Sequence, residues 1–113
     1  MERINFTDEK KQPHFIGSWN IKNDNLCKEI VSFFDENKTL QGTGTIGSGK
    51  DFTKKKTTDI TVKPNDLKND KFKCFNIYIE ELYKCFIDYQ LQWPFLKSLV
   101  KDVDIGSFNV QKY

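Results

Sequence analysis

The chain has 113 residues, of which 37% are hydrophobic, 30% charged and 14% aromatic. This length corresponds to one domain, and an aromatic-rich chain with a net charge of only +2 is not the composition of a disordered protein. No apolar run approaches the roughly 20 residues of a membrane span, no signal peptide follows Met1, and both halves carry the same small charge, so we expect a cytoplasmic protein with neither a membrane nor a nucleic acid as partner.

The N-terminal third predicts one strand and one helix. Residues 1–12 are polar and are expected to be a flexible lead-in to a single domain over residues 13–113. The segment 13–20 (PHFIGSWN) is typical of a short strand that begins with proline. Behind a run of Asn and Asp residues, apolar side chains recur at helical spacing, which predicts a helix over residues 25–37.

A glycine-rich segment follows the helix. Residues 41–53 contain four of the six glycines and predict a loop whose role the sequence leaves open. The spacing from Gly42 to Gly47 resembles a dinucleotide-binding motif, and Lys50 resembles the lysine of a phosphate loop. Neither motif has its flanking strand and helix, and Asp51 would repel phosphates. A lid-like loop without a nucleotide is therefore favoured.

The remaining chain predicts a strand, a long helix and a final strand. Alternating β-branched residues over 57–63 (TTDITVK) predict a strand. Asp66 or Asn69 is expected to cap a helix that ends near Gln92. Its buried seam, repeating at steps of three and four, comprises Phe72, Phe75, Ile79, Leu82, Phe86 and Tyr89. A short helix over residues 95–100 and a strand over residues 107–113 (SFNVQKY) complete the prediction.

The polar side chains complete no catalytic or metal site. His14 is the only histidine, and one imidazole builds neither a histidine-based metal site nor a hydrolase triad, so we expect it at a strand edge or on the surface. Glu80 and Lys84 form an i, i+4 pair that predicts, together with Glu81 and Asp88, a solvated helix face.

The cysteines and the lysine run have unexceptional interpretations. Cys74 and Cys85 lie about 16 Å apart on one helix, too far for a disulfide, and with Cys27 they are predicted to be reduced and buried. The chain contains seventeen Lys but one Arg, so the run Lys54–Lys56 carries little weight and is expected to be solvated.

The order of the elements resembles a known family. The succession HFIGSWN, LCKEIVSFFDEN, glycine loop, KKTTDITV, YIEELYKCFIDYQLQWP, FNVQKY is similar to the N-terminal part of the 2-oxoglutarate- and Fe(II)-dependent dioxygenases of the prolyl 4-hydroxylase-like type, especially short phage and bacterial members. The resemblance covers residues 14–113. It implies a double-stranded β-helix, or jelly roll, whose larger sheet is braced by helices, and a peptidyl or small-molecule substrate.

The resemblance also implies the cofactors. Fe(II) would be held by a His-x-Asp/Glu…His facial triad, and Tyr113 stands where the family has a tyrosine that helps to hold 2-oxoglutarate. The iron ligands would follow Tyr113, and His14 matches none of them. The 113 residues alone are therefore expected to be inactive and to bind neither cofactor tightly.

The sequence thus predicts an α+β fold in which short strands carry two main helices on one face, as the front portion of a jelly roll. The last predicted strand reaches Tyr113 without a turn or cap, so we expect its sheet to continue beyond that residue. Two alternatives remain open. One is a self-contained, non-enzymatic binding or adaptor domain that uses the aromatic surface around Trp19 and Trp93. The other is a nucleic-acid accessory protein that uses Lys54–Lys56, which the even charge distribution disfavours.

Overall fold

The computed structural model describes residues 1–5, 14–43, 57–100 and 102–113. In chain order the elements are β1 (Glu2–Arg3), β2 (Trp19–Asn20), α1 (Asp24–Glu36), β3 (Gly42–Thr43), β4 (Thr58–Val62), α2 (Lys73–Gln92), α3 (Leu96–Leu99) and β5 (Phe108–Lys112). The sheets are small and antiparallel, so the predicted α+β class is confirmed. No helix in the described ranges is long and apolar enough to cross a membrane.

The main sheet has the strand order β3-β4-β5. In the pairing of β4 with β5, Ile60 lies opposite Val110 and Val62 opposite Phe108. Ile60 and Val62 are almost completely buried, because period-2 alternation directs both of them to the helix side of the sheet. Both strands were predicted from this alternation, and both predictions are confirmed.

Asparagine residues flank helix α1 and cap both of its ends. The side chain of Asn23 accepts a hydrogen bond from the Leu26 amide at 3.0 Å, as a helix N-cap does. At the other end the Asn37 side chain donates to the Phe33 carbonyl at 2.7 Å. These caps satisfy backbone groups that helix ends leave unpaired, and the observed bounds lie within a residue of the predicted ones.

The core lies between the two long helices and the inner face of β4 and β5. Its buried members are Leu26, Phe33, Phe34, Ile60, Val62, Phe72, Cys74 and Phe75. Phe33 of α1 packs against the beginning of α2, since its ring centroid lies 5.1 Å from that of Phe72 and 4.9 Å from that of Phe75. Aromatic pairs at these separations contribute about 0.5–1.5 kcal/mol each beyond their buried area.

Helix α2 begins later than predicted. Asp66 accepts from the Lys63 amide and Asn69 from the Lys71 amide, but they shape two 3₁₀ turns, Pro64–Lys68 and Asp70–Phe72. The prediction that either residue caps the long helix is therefore wrong. Short polar side chains that bond to nearby amides favour turns as readily as helix starts, and here the turns precede the helix.

The predicted seam of α2 is buried only at its first end. Phe72 and Phe75 belong to the core, whereas Leu82 is 45% exposed, so the predicted burial of Leu82 is wrong. Leu82 lies towards the edge of the sheet at β5, where it lines an open cavity with Phe108. The buried residues in the second half of α2 are Cys85 and Gln90.

The N-terminal residues also differ from the prediction. Glu2–Arg3 form a strand that pairs antiparallel with Trp19–Asn20, so this part of the lead-in predicted over residues 1–12 is ordered. Of the strand predicted over residues 13–20, the described residues 14–20 form a strand only at Trp19–Asn20. Phe15 has a φ of 57°, which no extended strand accommodates.

Candidate functional site

An apolar groove that no other described residue covers runs between the edge strand β5 and the exposed side of α2; we call it the β5 groove. Its first part is a cavity of about 560 Å³ along the strand. Its walls include Ile30, Tyr78, Leu82, Asp104, Phe108 and Val110. Side chains from both long helices thus form a floor beside the last strand.

The groove continues along α2 into a second cavity of about 710 Å³. The residues that line it are Ile79, Glu80, Leu82, Tyr83, Lys84, Phe86, Val103 and Ile105. Apolar side chains predominate, and Leu82 lies in both cavities. Contiguous apolar surface of this kind on a folded chain marks a place where another structural element packs.

Strand β5 forms one wall of the groove. Side-chain hydrogen bonds on the face of the sheet away from the helices hold it against β4. Asn109 accepts a hydrogen bond from the Thr61 hydroxyl at 2.8 Å, and the Gln111 side-chain amide donates to Asp59 at 3.1 Å. Both contacts join β5 to β4. Among the described residues no strand pairs with the opposite edge of β5.

Charged groups stand around the rim. Asp104, four residues before β5, lines the first cavity, and Glu80 lines the second. Lys84 donates to Glu81 at 2.8 Å, and this hydrogen bond lowers the pKa of Glu81 and raises the pKa of Lys84. The predicted ion pair between Glu80 and Lys84 is therefore replaced by an i, i+3 pair with Glu81.

A polar cluster at Asp88 fastens the N-terminal strand to α2. Arg3 donates two hydrogen bonds of 2.7 Å to the two carboxylate oxygens of Asp88, and the Trp19 indole N–H donates a third of 2.6 Å. These bonds, from Arg3 first and Trp19 second, lower the pKa of Asp88 to about 2. The prediction of Asp88 on a solvated face is wrong.

One signal in the sequence could have revealed this cluster. Arg3 is the only arginine among eighteen basic side chains. A guanidinium can bind both oxygens of a carboxylate at once, which an ammonium group cannot do. A lone arginine in a lysine-rich chain therefore indicates a position where that geometry matters.

Tyr113, predicted to hold 2-oxoglutarate, follows β5 and is 91% exposed. By strand alternation it continues the outer face of Asn109 and Gln111, away from the helices. No described residue encloses it. The structure thus leaves its hydroxyl accessible.

His14 is held by local contacts. Its Nδ1 accepts a hydrogen bond from the Ile16 amide at 3.0 Å, and its ring meets that of Trp93 edge to face, with centroids 6.2 Å apart. The described part of the chain contains no group of three or more His, Cys, Asp and Glu side chains that could hold a metal ion. The residues that the structure describes therefore do not fit an iron site.

Both tryptophan rings lie near the ring of Tyr89, and the centroid of the Trp19 ring is 6.3 Å from it. Trp19 is engaged by Asp88, whereas the Trp93 ring lies 4.7 Å from that of Tyr89 and 5.7 Å from that of Phe15. Phe15 and its neighbour Phe95 are about half exposed. An aromatic patch thus exists around Trp93, and Tyr89 connects it to the Trp19 ring, whose indole N–H is bound by Asp88.

The thiols divide into one exposed and two buried groups. Cys27, in the first turn of α1, is exposed, contrary to prediction. Cys74 and Cys85 are buried as predicted. Burial raises the pKa of both thiols, helped by Glu29 near Cys74 and by Glu81 near Cys85.

Several sequence predictions lie outside the described residues. These are the Lys54–Lys56 run and most of the loop predicted over residues 41–53, including Lys50 and Asp51. Of that loop the structure describes the beginning, where Gly42–Thr43 pair with Thr58 and Asp59.

Comparison of the chain with protein-family models, with curated proteins and with solved structures finds no match.

Proposed function

We propose that the chain is the N-terminal segment of a 2-oxoglutarate- and Fe(II)-dependent dioxygenase and supplies the bracing helices and first strands of its jelly-roll sheet. One observation carries the proposal: two helices pack on one face of an antiparallel sheet, and side chains of both, Ile30 of α1 and Tyr78 and Leu82 of α2, line an apolar cavity beside its last strand. A sheet that continues beyond β5 would cover this floor.

The assignment of roles follows from the side chains at hand. The described residues form no iron site, and the whole chain has one histidine, whereas a facial triad requires two histidines and a carboxylate. On this proposal the metal ligands are supplied by residues outside these 113. The chain's own residue at the cofactor is Tyr113, whose exposed hydroxyl would donate a hydrogen bond to a carboxylate of 2-oxoglutarate.

The test is to sequence the DNA beyond the codon for Tyr113 and to purify the protein that the complete reading frame encodes. We expect succinate to be released from 2-oxoglutarate only when Fe(II) is supplied. Tyr113→Phe removes one hydrogen bond to a charged group, worth about 1.5–3 kcal/mol, and should raise the 2-oxoglutarate Kd about tenfold or more. Tyr83→Phe, at another exposed tyrosine, is the matched control and should leave the Kd unchanged.

Two results would reject the proposal. One is a reading frame that stops directly after Tyr113. The other is a complete product that binds Fe(II) and 2-oxoglutarate no better than the 113 residues do. An unchanged Kd in an active Tyr113→Phe enzyme would remove only Tyr113 from the cofactor site.

The alternative of a non-enzymatic binding domain is favoured by the aromatic patch. Phe15 and Phe95 lie edge to face at 5.6 Å beside Trp93, and both are about half exposed. Aromatic side chains are enriched at protein interfaces. If this alternative holds, Phe95→Ser should abolish partner binding while the reading frame ends without iron ligands.

A further inference from the structure

We propose that Gln111 is a second side chain of these 113 residues at the 2-oxoglutarate site, beside Tyr113, and that Asp59 is the positioning residue that holds Gln111 there. This role rests on the proposed function and extends it to a further contact with the same cofactor. Three features support it: the face of the sheet on which the three residues lie, the bond between Gln111 and Asp59, and the burial of Asp59.

The main sheet has one face towards the helices and one face away from them. Ile60 and Val62 of β4 point to the helices and belong to the core. Because side chains alternate along a strand, Asp59 lies on the opposite face, as does Gln111 of β5, with which it is paired. Tyr113 continues this face two residues after Gln111, which corresponds to about 7 Å along an extended chain. Gln111 and Tyr113 are therefore neighbours in one row.

The carboxylate of Asp59 orients the side-chain amide of Gln111. The amide nitrogen donates to an Asp59 oxygen at 3.1 Å. A carboxylate accepts hydrogen bonds and does not donate them, so it selects the nitrogen of the amide as its neighbour rather than the oxygen. An amide nitrogen carries two N–H groups, and the bond to Asp59 uses one of them. The other N–H can donate to an anionic ligand.

Asp59 is buried, with 8% of its surface exposed. A carboxylate costs more free energy to bury than the apolar β-branched residues that strands favour, and residues that break such a rule are typical of functional sites. The next pair on the same face is neutral and exposed, since the Thr61 hydroxyl donates to Asn109 at 2.8 Å. The buried charge thus belongs to the pair that lies nearer to Tyr113.

Two neutral donors in one row suit a dicarboxylate such as 2-oxoglutarate. The Tyr113 hydroxyl is exposed and Gln111 is half-buried, so a ligand above this face can reach both. Because Asp59 is buried and bound by the amide, such a ligand meets the N–H of Gln111 rather than a second carboxylate. Hydrogen bonds to a charged group are about twice as strong as those between neutral groups, so the loss of either donor should weaken binding.

The test measures the 2-oxoglutarate Kd of the protein that the complete reading frame encodes, by titration calorimetry with Fe(II) and without oxygen. Gln111→Met removes the amide but keeps an unbranched side chain, and it should raise the Kd about tenfold, as the loss of one hydrogen bond to a charged group does. Asn109→Leu is the matched control. It also removes an amide that is bonded to β4, but two residues further from Tyr113, and it should leave the Kd unchanged.

A second pair of variants tests whether Asp59 acts by holding Gln111. Asp59→Ala removes the acceptor and should raise the Kd as Gln111→Met does, whereas Asp59→Asn keeps a carbonyl that can accept the bond and should retain the affinity. A role in stability alone would lower the melting temperature of Asp59→Ala and leave its Kd unchanged, which would overturn the positioning role.

The outcomes separate this role from the proposed function. A wild-type protein that binds 2-oxoglutarate, with a Kd that Gln111→Met leaves unchanged or that Asn109→Leu raises equally, would overturn the role of Gln111 and leave the proposed function in place. A complete protein that binds no 2-oxoglutarate would reject the proposed function and the role of Gln111 together.

Discussion

The beginning and the middle of α2 carry similar apolar residues and bury them very differently. Phe75, near the beginning, is 2% exposed, and its ring lies 4.9 Å from that of Phe33 and 5.8 Å from that of Phe108. Leu82, two turns later in the same three-four spacing, is 45% exposed. The periodicity identifies the face of a helix that can be buried, but only a facing sheet decides how much of it is buried.

The largest effect on the free energy of unfolding is expected at Phe75, near the beginning of α2. Phe75→Ala removes a ring from the centre of the core, which should lower the free energy of unfolding by about 3–5 kcal/mol through lost burial and a residual cavity. Urea denaturation followed by circular dichroism measures this loss. A decrease below about 1 kcal/mol would contradict the placement of Phe75 between both helices and β5.

The C-terminal half of α2 should be stabilised by a polar contact at Asp88. Asp88→Asn removes the charge that Arg3 and Trp19 bind. Because Arg3 is about one-third exposed, solvent screening reduces the effect, and we expect a loss of about 1 kcal/mol. The same denaturation measurement applies, with Asp102→Asn, at an exposed carboxylate, as the control without effect.

The pH dependence of Asp88 gives an independent check. Its pKa of about 2 in the folded chain lies below the ordinary 3.8, so its contribution is complete above about pH 4 and is lost as the pH falls towards 2. The stability difference between wild type and Asp88→Asn should therefore vanish over this range. A difference that persists at pH 2 would mean that the ion pair is not its source.

A smaller effect is expected at Leu82, in the middle of α2, where no described element covers the side chain. Leu82→Ala should cost less than about 1 kcal/mol, since much of the side chain is already in water. The ratio of this loss to the loss for Phe75→Ala measures directly how differently the two side chains are buried. A loss above about 2 kcal/mol would show that a further element covers the groove in solution.

The smallest effect is expected at Tyr113. Tyr113→Phe should change the free energy of unfolding by less than about 0.5 kcal/mol, because the side chain is 91% exposed. Thermal unfolding of the two proteins side by side is sufficient to detect a larger change. Such a change would place the hydroxyl in the fold and make it a poor candidate for a cofactor contact.

Local sequence patterns determined the elements of this fold well. The alternation in β4 and β5 predicts which of their residues face the helices, and the asparagines around α1 predict its bounds. The caps depend on interactions between residues that are close in sequence, and the alternation can be read within a single strand. They are therefore accessible without the structure.

Contacts between distant residues were not accessible in this way. The pairing of Glu2–Arg3 with β2 and the capture of Asp88 depend on segments that no local pattern connects. The exposure of Leu82 depends on where a sheet ends relative to a helix. Of the candidate groove, sequence predicted the apolar face of α2 but neither its neighbour β5 nor the absence of a covering strand among the described residues.

The bond between Arg3 and Asp88 joins positions 85 residues apart, and this separation has a consequence during synthesis. Ribosomes add roughly 5–20 residues per second, so roughly 4–17 s pass between the addition of the two partners. Throughout that interval Arg3 has no carboxylate to bind at α2, and the hairpin of β1 and β2 has nothing to dock on. Arg3 is therefore synthesised well before it can reach its native position.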